Sequence, residues 1–231
     1  MTSALEQRES AAEFLTRYNR AINPPITRLT LTQLHLRYFP SCLTELPLRE
    51  LNLSRNDIEF IHDCISKLTD LKLLNLLDNK IADLPESISC LTILTQIEIG
   101  LNKVTSLACF RGLMGLNTLK ASFNKISQLD LQNLPFLRSL GLTGNELQEV
   151  IIDHSRLEWL NLTKNPLHSI KGTLPSLKTF QARQCYLLEL EFEAPNVTMF
   201  DLSSNQLKEV PSSISRFTSL TTLKLGRSEE R

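Results

Sequence analysis

No stretch of about 18 uninterrupted apolar residues occurs in this sequence, so no segment is long and apolar enough to span a bilayer as a helix. The opening residues, "MTSALEQRES", carry charges where a cleaved export signal needs an apolar run. There is no C-x-x-C pair. The five cysteines, Cys42, Cys64, Cys90, Cys109 and Cys185, are odd in number and loosely spaced, which argues against zinc and dithiol motifs and fits a reducing compartment. There is no charge excess either: 25 basic residues balance 25 acidic ones, so no overall field draws the chain to nucleic acid or to an anionic membrane. Any partner has to be recognised by a local surface.

A complete catalytic set is also lacking. Asp153, His154 and Ser155 have the letters of a hydrolytic triad, but neighbours in sequence cannot take the geometry of nucleophile, base and orienting acid. His35, His62 and His168 are isolated, and Cys42, Cys64, Cys90 and Cys109 read as small apolar packing residues of outer segments. These absences predict a protein that is not an enzyme, holds no cofactor or metal, and works in the cytoplasm with neither nucleic acid nor membrane as partner. The sequons at Asn52, Asn161 and Asn196 are by-products of a repeat that sets Asn beside Leu and Ser or Thr.

What is present is that repeat. On the form L-x-x-L-x-L-x-x-N-x-L the chain aligns as "LRELNLSRNDI", "LKLLNLLDNKI", "LTQIEIGLNKV", "LNTLKASFNKI", "LRSLGLTGNEL", "LEWLNLTKNPL", "LKTFQARQCYL" and "VTMFDLSSNQL". The Asn position falls at 56, 79, 102, 124, 145, 165, 185 (here Cys185) and 205, a period of 20 to 23 residues. "ITRLTLTQLHL" precedes these with Leu34 in place of Asn, and "LTTLKLGRS" follows, giving ten registers. The pattern resembles the leucine-rich repeat family, and the resemblance covers about residue 24 to the end. It implies an α/β solenoid, or horseshoe, with a parallel sheet on its concave face.

Physical chemistry leads to the same architecture. One unit turns roughly seven apolar side chains inward, each worth about 1.5 to 3 kcal/mol when buried, while ordering its backbone costs about 1 to 2 kcal/mol per residue. A lone unit therefore fails to fold, and stacked units sharing one core succeed. The turn Asn carries donor and acceptor atoms for backbone groups that the bend leaves unpaired. Cys185 is a weaker donor and Leu34 offers nothing, so the ladder is expected to be weakest at those two steps.

Residues 1–23 place Leu5, Ala12, Leu15, Tyr18 and Ile22 at helical spacing, with Ser3 as N-cap and Pro24-Pro25 as stop, and read as a capping helix ahead of a repeat domain over 24–231. Units of 22 or 23 residues have room for a helical turn on the outer side, as in "ADLPESISCLTI". The 20-residue units from about 145 to 205 are expected to run extended there.

Side chains six, four, two and one residue before the turn Asn project from the concave face. Read in this way, Leu73 and Leu77 occupy positions that most units give to polar residues, with Leu101 and Phe123 on the next two units. Trp159, the only tryptophan, follows two units beyond Phe123, and Met199 two beyond that. Between Phe123 and Trp159 lies a unit exposing Ser139, Gly141, Thr143 and Gly144, which predicts a shallow floor flanked by two aromatics. An apolar patch of this kind marks a protein interface, so Leu73, Leu77, Leu101, Phe123, Gly141, Trp159 and Met199 are the expected partner-binding residues. With few glycines and an N-terminal cap, the chain is similar to short repeat effectors that intracellular bacteria deliver into host cells without a cleaved signal. That resemblance implies a protein partner, an enzyme among the candidates, which the curved face blocks or positions. The alternative is a repeat or targeting segment of a larger enzyme whose catalytic domain lies beyond Arg231.

Overall fold

The computed structural model of the protein describes residues 25–129 and 134–226, so the expected cap over 1–23 lies outside the described residues. Ten short strands form one parallel sheet, running from Arg28–Thr30 through Glu50–Asn52, Leu73–Asn75, Gln96–Glu98, Thr118–Lys120, Ser139–Gly141, Trp159–Asn161, Thr179–Gln181 and Met199–Asp201 to Thr222–Lys224. One strand comes from each repeat, and the units are numbered here from first to tenth in that order. The register is fixed: Glu50 pairs with Leu73, Leu73 with Gln96, and so on to Met199 with Thr222. The middle residue of each strand points into the core because side chains alternate along a strand. These residues are buried from Leu51 to Phe200, whereas Leu223 of the last strand is 39% exposed, having no further unit to cover it.

The outer side follows unit length. The four connections between the turn positions of the first five units, and the one after the ninth, fold as single turns of 3-10 helix: Ser41–Glu45, Asp63–Lys67, Glu86–Cys90, Ala108–Gly112 and Ser212–Arg216. Where the period shortens to 20 residues the connection runs extended, as expected, and Glu149–Ile151, Ser169–Thr173 and Glu189–Glu193 pair as a second parallel sheet. A 3-10 turn rises only about 2 Å per residue against about 3.3 Å for a strand, so the shorter units span the same outer path by stretching. In this half the core uses phenylalanine: Phe180 stacks on Phe200 at 4.8 Å between centroids and packs against Phe192 at 5.0 Å.

The turn asparagines staple one unit to the next. Asn79 Nδ2 donates to Leu76 O of its own unit (3.0 Å) and Leu53 O of the preceding one (3.1 Å), while its Oδ1 accepts the Ile58 N–H (3.0 Å). Asn102, Asn124 and Asn165 repeat all three bonds. At the first unit Leu34 turns outward and is 40% exposed, and Asn56 Oδ1 takes the N–H groups of both Leu34 and Leu36. Cys185 is buried, and its thiol makes only long contacts to Leu162 O (3.4 Å) and Arg183 O (3.5 Å).

Candidate functional site: the concave face

The residue just before the turn position is in the left-handed region in the first nine units, whose turns lie within the described residues, with φ between 51° and 67°. This geometry turns the chain sharply out of the strand and holds the side chain at the rim of the concave face. It also costs an L-residue about 1 to 2 kcal/mol, which glycine and asparagine avoid most easily. Most units set a polar residue here, such as Gln33, Asp78 or Ser204, and one sets Gly144. Leu101 and Phe123 are the exceptions: bulky apolar side chains in a strained conformation, 47% and 48% exposed. Neither burial nor backbone preference accounts for them.

Glycines receive these side chains. A Cβ on Gly144 would stand 2.7 Å from Phe123 Cδ1, so the ring lies directly over the glycine of the next unit. A Cβ on Gly141 would meet Trp159 Cζ3 at 3.4 Å, the indole leaning back over the same unit from the other side. Leu77 lies likewise over Gly100, its Cδ1 3.1 Å from where a Cβ would be. The expected open floor between two aromatics is therefore corrected. Gly141 is buried, Phe123 and Trp159 rest on the sixth unit, and the feature is a raised aromatic ledge supported by glycine. The signal for it was present in the sequence as Gly100, Gly141 and Gly144, each one unit away from a bulky side chain; only the direction in which those side chains lean was missing.

The other expected residues divide. Leu73 and Leu77 are half-buried on the third unit, where Leu73 lines a shallow depression with Gln96, Glu98 and Lys120. Leu77, Leu101 and Phe123 then step from unit to unit toward the ledge. Met199 does not join them. It is half-buried on the ninth unit, and Thr179 stands between it and Trp159 in the strand register. It is separated because the column that holds both residues is polar at the intervening step.

Charges surround the ledge. Lys178 and Arg138 both bond the Glu158 carboxylate and hold it below the usual carboxylate range. Glu98 is shifted the other way: partial burial raises its pKa, against the opposing effect of Lys120 at 3.7 Å.

The family model for the leucine-rich repeat matches residues 47–68. Among solved structures, the APL1 leucine-rich repeat domain superposes with a TM-score of 0.77 at 18% identity, over 87% of this chain and 56% of that one. An internalin from Listeria monocytogenes gives 0.60 at 16% identity, over 94% and 75%. The chain is a leucine-rich repeat protein. Curated relatives of this leucine-rich repeat chain include adenylate cyclase of Schizosaccharomyces pombe, 31% identical over 68% of this chain and 10% of that protein. Bovine osteomodulin is 27% identical over 79% and 42%. The chain thus spans less than half the length of these relatives. Stacked repeats of this class create extended concave binding surfaces, and the solenoid is typically an interaction module rather than a catalyst.

The chemistry-bearing residues of this repeat protein serve its scaffold. Asp153 Oδ1 accepts the Thr173 N–H (2.8 Å), Ser155 O accepts the Ser176 hydroxyl (2.6 Å), and buried His154 reaches Leu134 O through Nε2 (2.9 Å). His154 Nδ1 in turn accepts the Arg156 N–H (3.3 Å), which assigns the proton to Nε2. Each member of that triplet thus bonds to a neighbouring unit. Among the described residues no three His, Cys, Asp or Glu side chains converge as metal ligands would, and no helix is long and apolar enough to cross a membrane. Cys64 and Cys109 pack partly against the core, and burial pushes the Cys109 thiol up to about 12. Cys90 corrects the expectation of buried packing: it is exposed, at the last position of a 3-10 turn that aims it at solvent.

Proposed function

We propose that this chain recognises a protein partner on its concave face, with Leu101, Phe123 and Trp159 as anchors and Leu73 and Leu77 extending the contact. The observation carrying this reading is the pair Leu101 and Phe123, apolar and half-exposed in a left-handed position that most other units give to polar residues or glycine. Large apolar side chains kept in water at a conformational cost gain their return when a partner covers them. Gly141 takes part as the seat of Trp159, and Met199 marks the far limit of the covered area.

The finer reading draws on the resemblance to host-delivered repeat effectors. The partner is an enzyme in the cytosol of the cell where the chain acts, which the curved face blocks or positions, and the free thiols of Cys64, Cys90, Cys109 and Cys185 fit such a reducing compartment. The test is affinity purification from host-cell cytosol with the full chain beside a Phe123→Ala, Trp159→Ala double variant of equal melting temperature. A partner retained by the first and lost by the second supports the reading; identical recovery by both moves the site off the concave face. The match to a segment of a much longer adenylate cyclase favours a second reading, in which these repeats are the recognition part of a larger enzyme. The reading frame beyond Arg231 decides between the two.

A further inference from the structure

The composition is neutral, with 25 basic and 25 acidic residues, yet the fold sorts the charges. On the concave sheet and its rim, carboxylates are matched by cations of the same face: Glu50 by Arg28 at 3.1 Å, Glu98 by Lys120 at 3.7 Å, Glu158 by Arg138 and Lys178, and buried Asp201 by Arg183 at 3.9 Å. Among the described residues Asp78 is the one carboxylate of the face outside these pairs. The cations outnumber it. Arg49 and Lys72 precede their strands, Arg55 and Lys164 occupy the left-handed column, and Lys224 lies on the last strand, all five exposed and without an ion-pair partner among the described residues. Along the left-handed column the order is Arg55, Asp78, Leu101, Phe123, Gly144, Lys164, so the apolar ledge is followed by Lys164 at one end and, beyond the single Asp78 carboxylate, by Arg55 at the other.

Resting on the concave-face reading, we propose that the partner region seated there is an acidic protein segment with a leucine or aromatic residue at its centre. The apolar side chain packs on Leu101, Phe123 and Trp159, and flanking Asp or Glu residues meet Arg55 on one side and Lys164 and Lys224 on the other. A neutral segment would bury these cations without returning the hydration they lose, which disfavours it, whereas an acidic one replaces water with charge-assisted hydrogen bonds and is steered in by the same field. Nucleic acid would also supply anions. The exposed leucine beside Phe123 and the Asp78 carboxylate within the cationic row suit a polypeptide better than a phosphate backbone.

The test selects phage-displayed random linear peptides on the full chain and measures the enriched peptides by fluorescence anisotropy. Four proteins are compared, each checked for an unchanged melting temperature: wild type, Arg55→Glu with Lys164→Glu, Phe123→Ala with Trp159→Ala, and a control reversal on the outer sheet, Lys171→Glu. The expected peptides pair Leu, Phe or Trp with Asp and Glu. Both concave variants are expected to bind them about tenfold or more weakly, while the outer-sheet variant binds them like wild type. Peptides that lose affinity to the Phe123, Trp159 variant but bind the charge-reversed variant equally well overturn the acidic-segment proposal and leave the concave reading standing. A selection yielding no peptide that depends on Phe123 and Trp159 removes both. A labelled oligothymidylate that binds more tightly than the peptides and displaces them overturns the proposal in favour of nucleic acid.

Discussion

Replacing Cys185 by asparagine restores the staple that the eighth unit lacks. In the regular units each turn Asn has an Oδ1 that accepts an N–H from the preceding unit: Leu147 N–H on Asn165 at 3.2 Å and Leu187 N–H on Asn205 at 3.3 Å. The equivalent group at the seventh unit, Leu167 N–H, is buried with Leu167 and has no hydrogen-bond acceptor among the described residues. On the donor side, Leu76 O accepts from both Asn79 and Asn102, whereas Ala182 O receives only Asn205, at 2.7 Å. The thiol has no strong acceptor lone pair to offer, and its contacts are long at 3.4 and 3.5 Å. An orphaned buried N–H costs about 1 to 3 kcal/mol and an ordinary intramolecular hydrogen bond returns about 1 kcal/mol net. Burying the more strongly hydrated amide offsets part of the gain, which leaves about 1 kcal/mol in favour of Cys185→Asn. For a chain of this size that raises Tm by about 2 to 4 °C. Thermal unfolding followed by circular dichroism measures the shift, and amide hydrogen exchange at Leu167 measures the new bond directly. The reverse change, Asn165→Cys, at a residue 2% exposed, should lose at least about 2 kcal/mol. A lowered Tm for Cys185→Asn, or Leu167 exchange as fast as in wild type, would refute the staple argument.

Four further outcomes are expected. Phe123→Ala and Trp159→Ala each weaken partner binding by about 2 kcal/mol or more with little change in Tm, whereas Leu160→Ala, under the same strand, opens a cavity costing about 2 to 5 kcal/mol; calorimetric titration and melting curves separate surface from core. Gly144→Ala forces an L-residue to φ +67° beneath the Phe123 ring, so it should destabilise by about 1 kcal/mol or more and weaken binding together with stability, and an unchanged Tm would contradict the seat described for Phe123. The Glu98 carboxyl is raised by burial, so the folded protein favours the protonated form; its contribution is fully present below the unfolded value near 4.5 and is lost as pH rises through the higher folded value. Glu98→Gln should accordingly raise Tm at pH 7 relative to wild type, with a difference that vanishes in acid, and a difference independent of pH would show that ionisation is not the cause. His154→Ala leaves Leu134 O and the Arg156 N–H without their imidazole partner and should cost about 1 to 3 kcal/mol; loss of a catalytic activity without loss of stability would instead give His154 the chemical role that its hydrogen bonds argue against.

The repeat period determined most of the architecture without any structure in hand. Eight copies of one pattern fix which residues face inward, because strand alternation leaves no second choice once the core leucines are set. Unit length alone separated the 3-10 connections from the extended ones, since a 20-residue unit has too few residues for both a strand and a helical turn. The sequence also marked Leu77, Leu101, Phe123 and Trp159 as outward-facing, and Cys185 as the weak staple. It could not give the left-handed conformation before each Asn, which arises from closing the turn against the neighbouring unit and not from any local preference of Leu101 or Phe123. Nor could it show that the two aromatic rings lie down over Gly144 and Gly141, because a side chain's lean depends on the space the adjacent unit leaves. Met199 looked equivalent to Trp159 in the column and is isolated only by its neighbour Thr179. Charge behaves in the same way. A balanced composition is a sum over the whole chain, whereas the potential a partner meets depends on which charges the fold pairs with one another and which it leaves facing the same side.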